Sequence, residues 1–228
     1  CEASTHLGFG HLHRCLMLAG HIKNPVFLFP EDDRTAIDIV RRAGHRVHLL
    51  PAGLRPVDEV KRYPADCNNI ILDLYHRDYA ADPRALCHYL HAVSGHGVRT
   101  AFIDGFFDDS FRDGRAPEFF AVIQPYVGAE QDTKPQATNW LAGANYAIMP
   151  PGYEDLPPKN IVPQAEKLLI TFGGADPQGI TGVVMGAVVT LDFEVRVIVG
   201  PYFSDAHRTA IHEIAELSDC FTLIEGQD

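Results

Sequence analysis

The sequence predicts an α/β protein made of two parallel-sheet units, on the basis of three observations. Short apolar runs rich in β-branched residues alternate with helical stretches along most of the 228 residues, a pattern typical of parallel sheets covered on both faces. Met149–Pro163 holds five of the sixteen prolines, which indicates a stiff connector. The alternation then restarts. We therefore expect an N-terminal α/β domain over 1–150, a Pro-rich linker over 151–164 and a partial C-terminal nucleotide-binding domain over 165–228.

Each element of the first unit has a local signal. A helix is expected directly after the first glycine loop, near His11. Arg34–Gly44 has an amphipathic pattern and ends on a glycine, which is favoured just past a helix C-terminus. Pro83–Gly95 opens with proline, which suits the first helical position. The predicted strands are the apolar runs Pro25–Phe29, His45–Leu50, Asn69–Tyr75, Val98–Asp104 and Phe119–Gln124.

The second unit repeats the alternation on a smaller scale. Helices are predicted near Gly179–Leu191 and over Ser204–Leu217. The predicted strands are Lys167–Phe172, Glu194–Val199 and Phe221–Ile224, fewer than the ~5–6 strands of a typical sheet. A βαβ unit needs a strand before its first glycine loop, but only CEASTHL precedes Gly8. We therefore expect a fragment of a longer protein. Two such units should leave a cleft between them, with ligands beyond the carboxyl ends of the strands.

Composition narrows the function classes. A hydrophobic content of 46% is ample for a packed core and argues against disorder. No apolar run approaches the ~20 residues of a membrane span, and no secretory signal is visible, so stable membrane insertion is not expected. A net charge of −11 disfavours nucleic acid as a partner. The five cysteines are scattered without a CxxC pair, which predicts reduced thiols, a cytoplasmic location and no metal site.

The stretch LGFGHLHRCLMLA, residues 7–19, predicts a ligand site at a helix start. Gly8 and Gly10 allow close approach of the backbone to a ligand. The helix that follows offers unpaired N–H groups and the positive end of its dipole. That dipole favours the neutral form of His11, which could act as a general base beside an anion. The alternative is a pair of turn glycines followed by a histidine without a role.

A second glycine loop, TFGGADPQGIT over 171–181, follows a predicted strand and precedes a predicted helix. Its residues Gly173, Gly174 and Asp176 are candidates for a phosphate-binding loop of backbone amides. The GK[ST] ending of a P-loop is absent.

Acidic and aromatic residues lie at predicted strand ends. LDLYHRD, over 72–78, places Asp73, Tyr75 and Asp78 at the exit of one strand, and Asp104 ends another. Asp73 and Asp104 are candidates for acid/base chemistry or for binding sugar hydroxyls. Equally, each could simply cap the loop that follows.

Four motifs in order, GFGHLHRCLMLA, DLYHRD, ITFGGADPQGIT and VRVIVGP, resemble a family of pseudaminic acid biosynthesis. That family comprises the UDP-2,4-diacetamido-2,4,6-trideoxy-β-L-altropyranose hydrolases and is related to spore-coat polysaccharide proteins and the peptidoglycan N-acetylglucosaminyltransferase. The resemblance implies a glycosyltransferase-B-like fold of two Rossmann-like domains and water attack at the anomeric carbon of a UDP-sugar, without metal or cofactor. The water-activating histidine falls on His11 and the strand-end tyrosine on Tyr75. The expected substrate-binding residues are Gly8, Gly10, Arg14, Asp73, Tyr75, Asp104, Gly173, Gly174 and Asp176.

The sequence also departs from the family pattern. Asp104–Gly105 stands where the family often has IDD, and the loop Gly105–Glu118 is particular to this chain. A UDP-sugar hydrolase is the favoured reading. A glycosyltransferase on the same fold and a non-catalytic sugar-nucleotide binder are the alternatives, and the sequence does not indicate the oligomeric state.

Overall fold

The protein has an α/β fold in which every described strand pair is parallel. The computed structural model describes residues 1, 3, 8–53, 67–74, 91, 97–103, 119–132, 134, 137–153 and 155–226. The chain divides into two compact units. Unit 1 comprises Cys1–Glu2 and His11–Pro150, and unit 2 comprises Ala3–Gly10 and Pro151–Asp228. The predicted class, α/β with parallel sheets, is confirmed.

Unit 1 holds two parallel sheets in its described part. The first pairs β1 with β2, and the second has the order β3-β4-β5-β6. Five of these strands were predicted to within two residues at each end, whereas β6 was not predicted. The elements are α1 (Gly10–Ala19), β1 (Val26–Pro30), α2 (Arg34–Arg42), β2 (Arg46–Leu50), β3 (Asn69–Asp73), β4 (Arg99–Ile103), β5 (Phe119–Gln124) and β6 (Ala137–Ala142).

The local sequence explains why α2 of unit 1 forms and where it ends. In α2 the buried side chains are Ala36, Ile37 and Val40, which share one helix face because their spacing follows the helical repeat. Gly44 then adopts a φ of +80°, the left-handed conformation that glycine provides most readily after a helix. The predicted helix Pro83–Gly95 lies outside the described residues, except for the helical His91.

The core of the four-stranded sheet contains two packed aromatic rings and a buried glutamine whose side chain is hydrogen-bonded. The rings of Phe102 and Phe119 meet edge to face, with centroids 5.8 Å apart. The Trp140 indole donates to the Gln124 side-chain oxygen at 2.6 Å, and the Gln124 side-chain nitrogen donates to the Tyr126 hydroxyl at 3.1 Å. Both polar atoms of this buried glutamine therefore have partners, as burial requires.

Unit 2 has a three-stranded parallel sheet in the order β7-β8-β9. Its core contains the alternate residues Val195, Val197 and Val199 of the central strand, packed with Met185 and Ile211 from two helices. All three predicted strands and both predicted helices are confirmed, with small shifts at their ends. The elements are β7 (Lys167–Ile170), α3 (Ile180–Val188), β8 (Glu194–Val199), α4 (Asp205–Ala215) and β9 (Phe221–Glu225).

Gly200, directly after β8, packs against the second glycine loop so closely that no side chain fits. A Cβ there would lie 2.5 Å from the Gly174 carbonyl oxygen and 2.6 Å from that of Gly173. Gly200→Ala should therefore lower the free energy of unfolding by ~1–3 kcal/mol, because the backbone must shift. Chemical denaturation measures this. Gly186→Ala on α3 is the control: a Cβ there meets nothing within 4 Å, so helix propensity predicts slight stabilisation. Equal stability of the two variants would contradict the packing argument.

Candidate active site

Unit 1 brings three side chains together around one buried carboxylate. His11, Arg14 and Cys15 lie on α1 at spacings of three and four residues, which place them on the same helix face. Asp73 is the last residue of β3 and its side chain is fully buried. The carboxyl end of a parallel strand is where ligands of α/β proteins bind. Helix and strand thus present a polar cluster at the expected end of the sheet.

Asp73 accepts hydrogen bonds from two cationic or ionisable partners. His11 Nδ1 lies 2.5 Å from Asp73 Oδ1. Arg14 donates from Nε to Oδ2 at 2.8 Å and from Nη2 to Oδ1 at 2.7 Å. The guanidinium and the carboxylate therefore form a bidentate pair with two parallel hydrogen bonds. Such bidentate pairs are strong and fix orientation. The side chains of His11 and Arg14 are each 20% exposed, so solvent reaches the cluster at these two residues.

The cluster fixes the ionisation of Asp73. Burial alone would raise its pKa, but the hydrogen bonds from His11 and Arg14 and the positive charge of Arg14 outweigh burial and hold the pKa below its ordinary value. An ionised Asp73 can only accept hydrogen bonds. In a neutral His11 ring the proton is therefore assigned to Nδ1, which faces the carboxylate, and the lone pair to Nε2. This is the tautomer in which a histidine can accept a proton from a substrate or water.

Cys15 completes the cluster as a neutral thiol. Its Sγ lies 3.7 Å from Asp73 Oδ2. Burial, helped by the adjacent Asp73 carboxylate, raises its pKa to about 11, against the opposing effect of Arg14. A thiol with so high a pKa is a poor nucleophile at neutral pH. Cys15 is therefore a packing neighbour of the carboxylate and not an activated nucleophile.

The second glycine loop lies in unit 2 and offers unused backbone donors. Gly173 adopts a φ of +74°. The N–H groups of Gly173, Gly174 and Ala175 donate no hydrogen bond to any described residue. Consecutive amides of this kind can bind an anion.

Asp176, by contrast, serves the helix that follows. It is 3% exposed, and its carboxylate accepts from the amides of Ile180 at 2.9 Å and Thr181 at 2.8 Å. This caps the first turn of α3. The amides of Ile180 and Thr181 are therefore already hydrogen-bonded to the Asp176 carboxylate. A phosphate at this loop would have to bind the amides that precede Asp176.

The first glycine loop is part of unit 2, which includes Ala3–Gly10. Gly8 has a φ of +83°, as a glycine turn requires, and α1 begins at Gly10. Between them Phe9 is 3% exposed, and its ring packs on Tyr202 with centroids 4.4 Å apart. The Tyr202 amide donates to the Gly174 carbonyl at 2.9 Å. Phe9 is thus a core residue of unit 2, a role that the sequence analysis did not assign to it.

The structure brings together only some of the predicted site residues. His11, Arg14 and Asp73 form one cluster, whereas Gly173, Gly174 and Asp176 belong to the loop of unit 2. Tyr75, Asp78 and Asp104 lie outside the described residues. The guanidinium of Arg14 pairs with Asp73 within the protein, and its expected contact with substrate stays a prediction. The role of Cys15 was missed, although its place four residues after His11 on a helix was a usable signal.

Two further observations concern cofactors and membranes. Within the described ranges, no three His, Cys, Asp or Glu side chains are placed to hold a metal ion. Among the helices that the structure describes, none is both long and apolar enough to cross a bilayer.

Comparison with known proteins gives one distant relative and no family. No protein-family model matches the chain. The chain is similar to an uncharacterized protein of Methanocaldococcus jannaschii, MJ1062, with 23% identity over 218 residues, covering 89% of this chain and 42% of that protein. The chain thus spans less than half the length of this relative. The similarity extends across both units and carries no functional assignment.

Proposed function

We propose that the protein hydrolyses a UDP-linked amino or deoxy sugar to UDP and free sugar, on a glycosyltransferase-B-like fold. The observation that carries this proposal is the His11–Asp73 pair, in which a buried carboxylate fixes the proton on Nδ1 and leaves Nε2 as a base. The resemblance of the GFGH and strand-end motifs to nucleotide-sugar hydrolases supplies the substrate class.

In this reaction His11 acts as the general base that activates water. Its Nε2 accepts a proton from water while the water oxygen forms a bond to the anomeric carbon. The bond between that carbon and the UDP oxygen breaks, and the electron pair leaves with UDP, which is a good leaving group. The imidazolium that forms is stabilised by the Asp73 carboxylate at 2.5 Å. Arg14 holds that carboxylate in place through its two bonds, and so acts as a positioning residue.

The nucleotide part of the proposal concerns unit 2. We assign the unused amides of Gly173 and Gly174 to the diphosphate, because backbone N–H groups suit phosphate oxygens without a metal. The net charge of −11 makes such local donors more necessary, since the overall field of the protein repels anions.

A UDP-release assay tests this function. The protein is incubated with a panel of UDP-sugars, with and without sugar and lipid-linked acceptors, and free UDP and free sugar are measured. We expect equal amounts of UDP and free sugar from at least one amino- or deoxy-sugar donor without an acceptor. UDP release that requires an acceptor would favour the glycosyltransferase alternative. Tight UDP binding without turnover of any donor would favour the non-catalytic binder.

A further inference from the structure

The second glycine loop is held on one side by residues 200–202, which follow β8 and are called the β8 turn below. The Tyr202 amide donates to the Gly174 carbonyl oxygen at 2.9 Å. A Cβ built on Gly200 would lie 2.6 Å from the Gly173 carbonyl oxygen and 2.5 Å from that of Gly174. Two consecutive carbonyl groups of the loop therefore face the β8 turn.

This contact also fixes the direction of two loop amides. The described peptide bonds are trans, and across a planar trans peptide the N–H group points away from the carbonyl group of the preceding residue. The N–H of Gly174 is thus opposite the Gly173 carbonyl, and the N–H of Ala175 is opposite the Gly174 carbonyl. Both N–H groups point away from the β8 turn, and neither donates to a described residue. Neighbouring amides that point to one side suit an anion.

We propose that Phe9 and Tyr202 are positioning residues that hold this loop ready for the diphosphate of the nucleotide sugar. Both belong to unit 2. Phe9 is 3% exposed, and the centroids of the two rings are 4.4 Å apart. Tyr202 Cδ2 also lies 3.5 Å from the Cβ position built on Gly174. Tyr202 therefore contacts the loop with its ring and its amide, while Phe9 supports the ring.

The energetic reason is the conformational freedom of the loop. Gly173 and Gly174 lose more backbone entropy on ordering than other residues do. A loop that is already held in its binding conformation binds more tightly, because ordering no longer reduces the binding free energy. Phe9 can raise affinity in this way without contacting the ligand. The inference rests on the proposed function, since it concerns the same diphosphate.

Binding of UDP and of inorganic pyrophosphate tests the role of the two rings. Calorimetry measures both Kd values for the wild type, Phe9→Ala, Tyr202→Ala and the double variant. We expect each single variant to raise both Kd values about three- to tenfold, as the energy of one aromatic pair allows. The double variant should raise Kd by less than the product of the single effects, because both changes remove the same contact. Tyr202→Phe keeps the ring and should stay within about twofold of wild type.

Phe221→Ala is the matched control for a general loss of packing. Phe221 packs against the core of the same unit but pairs with Val195 at the amino ends of β8 and β9, whereas the loop follows the carboxyl end of β7. Its replacement should lower the Tm and leave Kd within about twofold. An equal rise in Kd for Phe221→Ala and Phe9→Ala overturns the proposal, as does an unchanged Kd in folded Phe9→Ala. If Phe9→Ala does not fold, Phe9→Leu is measured under the same criteria.

The result for the two rings can be separated from the result for hydrolysis. A wild type that binds UDP, with the expected loss in Phe9→Ala but without release of free sugar from any donor, contradicts the hydrolase and supports the positioning role. Hydrolysis by the wild type together with an unchanged Kd in Phe9→Ala overturns the positioning role alone. A wild type that binds neither UDP nor pyrophosphate overturns both.

Discussion

His11→Asn should lower kcat for UDP-sugar hydrolysis by ~10²–10⁴-fold, the contribution of a well-placed general base. The amide of asparagine can still hydrogen-bond near Asp73 but cannot accept a proton from water. Nucleotide binding should change little, because the amides assigned to the diphosphate belong to another loop. Steady-state kinetics with the donor identified in the UDP-release assay measure kcat, and UDP titration by calorimetry measures binding.

His13→Asn is the matched control for this prediction. His13 lies two residues further along α1, on a different face, and is exposed. Its replacement should leave kcat within about twofold, as expected for a surface position away from the cluster. If His11→Asn retains nearly normal kcat in a folded protein, the general-base assignment is wrong and His11 serves only to pair with Asp73.

Asp73→Asn should reduce both stability and turnover. Removing one partner of a buried ion pair costs about 3–5 kcal/mol, because the Arg14 guanidinium loses the carboxylate that neutralises it. The amide can also reverse the preference for a proton on His11 Nδ1, so kcat should fall with the same substrate. Urea denaturation at pH 7 measures the first effect. Asp38→Asn, at an exposed position of α2, should leave both quantities almost unchanged.

The pH dependence of stability gives this prediction a distinctive signature. Asp73 has a lower pKa in the folded state than its ordinary value, so the native protein binds fewer protons at this site than the unfolded chain. The stabilisation is therefore fully present above the ordinary carboxyl range, about pH 4, and is lost as the pH falls through the folded pKa. The stability difference between wild type and Asp73→Asn should shrink on acidification. A difference that stays constant down to acid unfolding would contradict the assigned ionisation.

Strands and helices with a clear repeat could be predicted from the sequence, and weaker ones could not. The buried alternate valines of Glu194–Val199 are a regular signal, and that strand was predicted at its observed bounds. β6 was missed because Thr138 and Asn139 are exposed polar residues at its start, so its sequence lacks an apolar run. Lys167–Phe172 was predicted two residues too long, since Thr171 and Phe172 are exposed beyond the paired part of β7.

The candidate site was predictable in its residue types but not in its pairing. The glycine loop and the helix start identified His11, and the strand end identified Asp73. Their contact joins residues 62 positions apart, and no local pattern encodes which strand end faces which helix. The same limit applies to Arg14, whose bond to Asp73 joins residues 59 positions apart. For Asp176 the signal was local but ambiguous, since the same acidic turn residue can cap a helix or approach a ligand.

The all-parallel pairing has a consequence for how the chain reaches its native state. Parallel neighbours such as Asn69 and Arg99 can meet only after the crossover between them has closed, which costs loop entropy before any contact is gained. Proteins rich in such non-local pairings fold slowly. During synthesis β3 cannot pair with β4 until Arg99–Ile103 has emerged from the ribosome. We therefore expect refolding from urea to be slow and accompanied by aggregation at high concentration, with chaperones improving the yield.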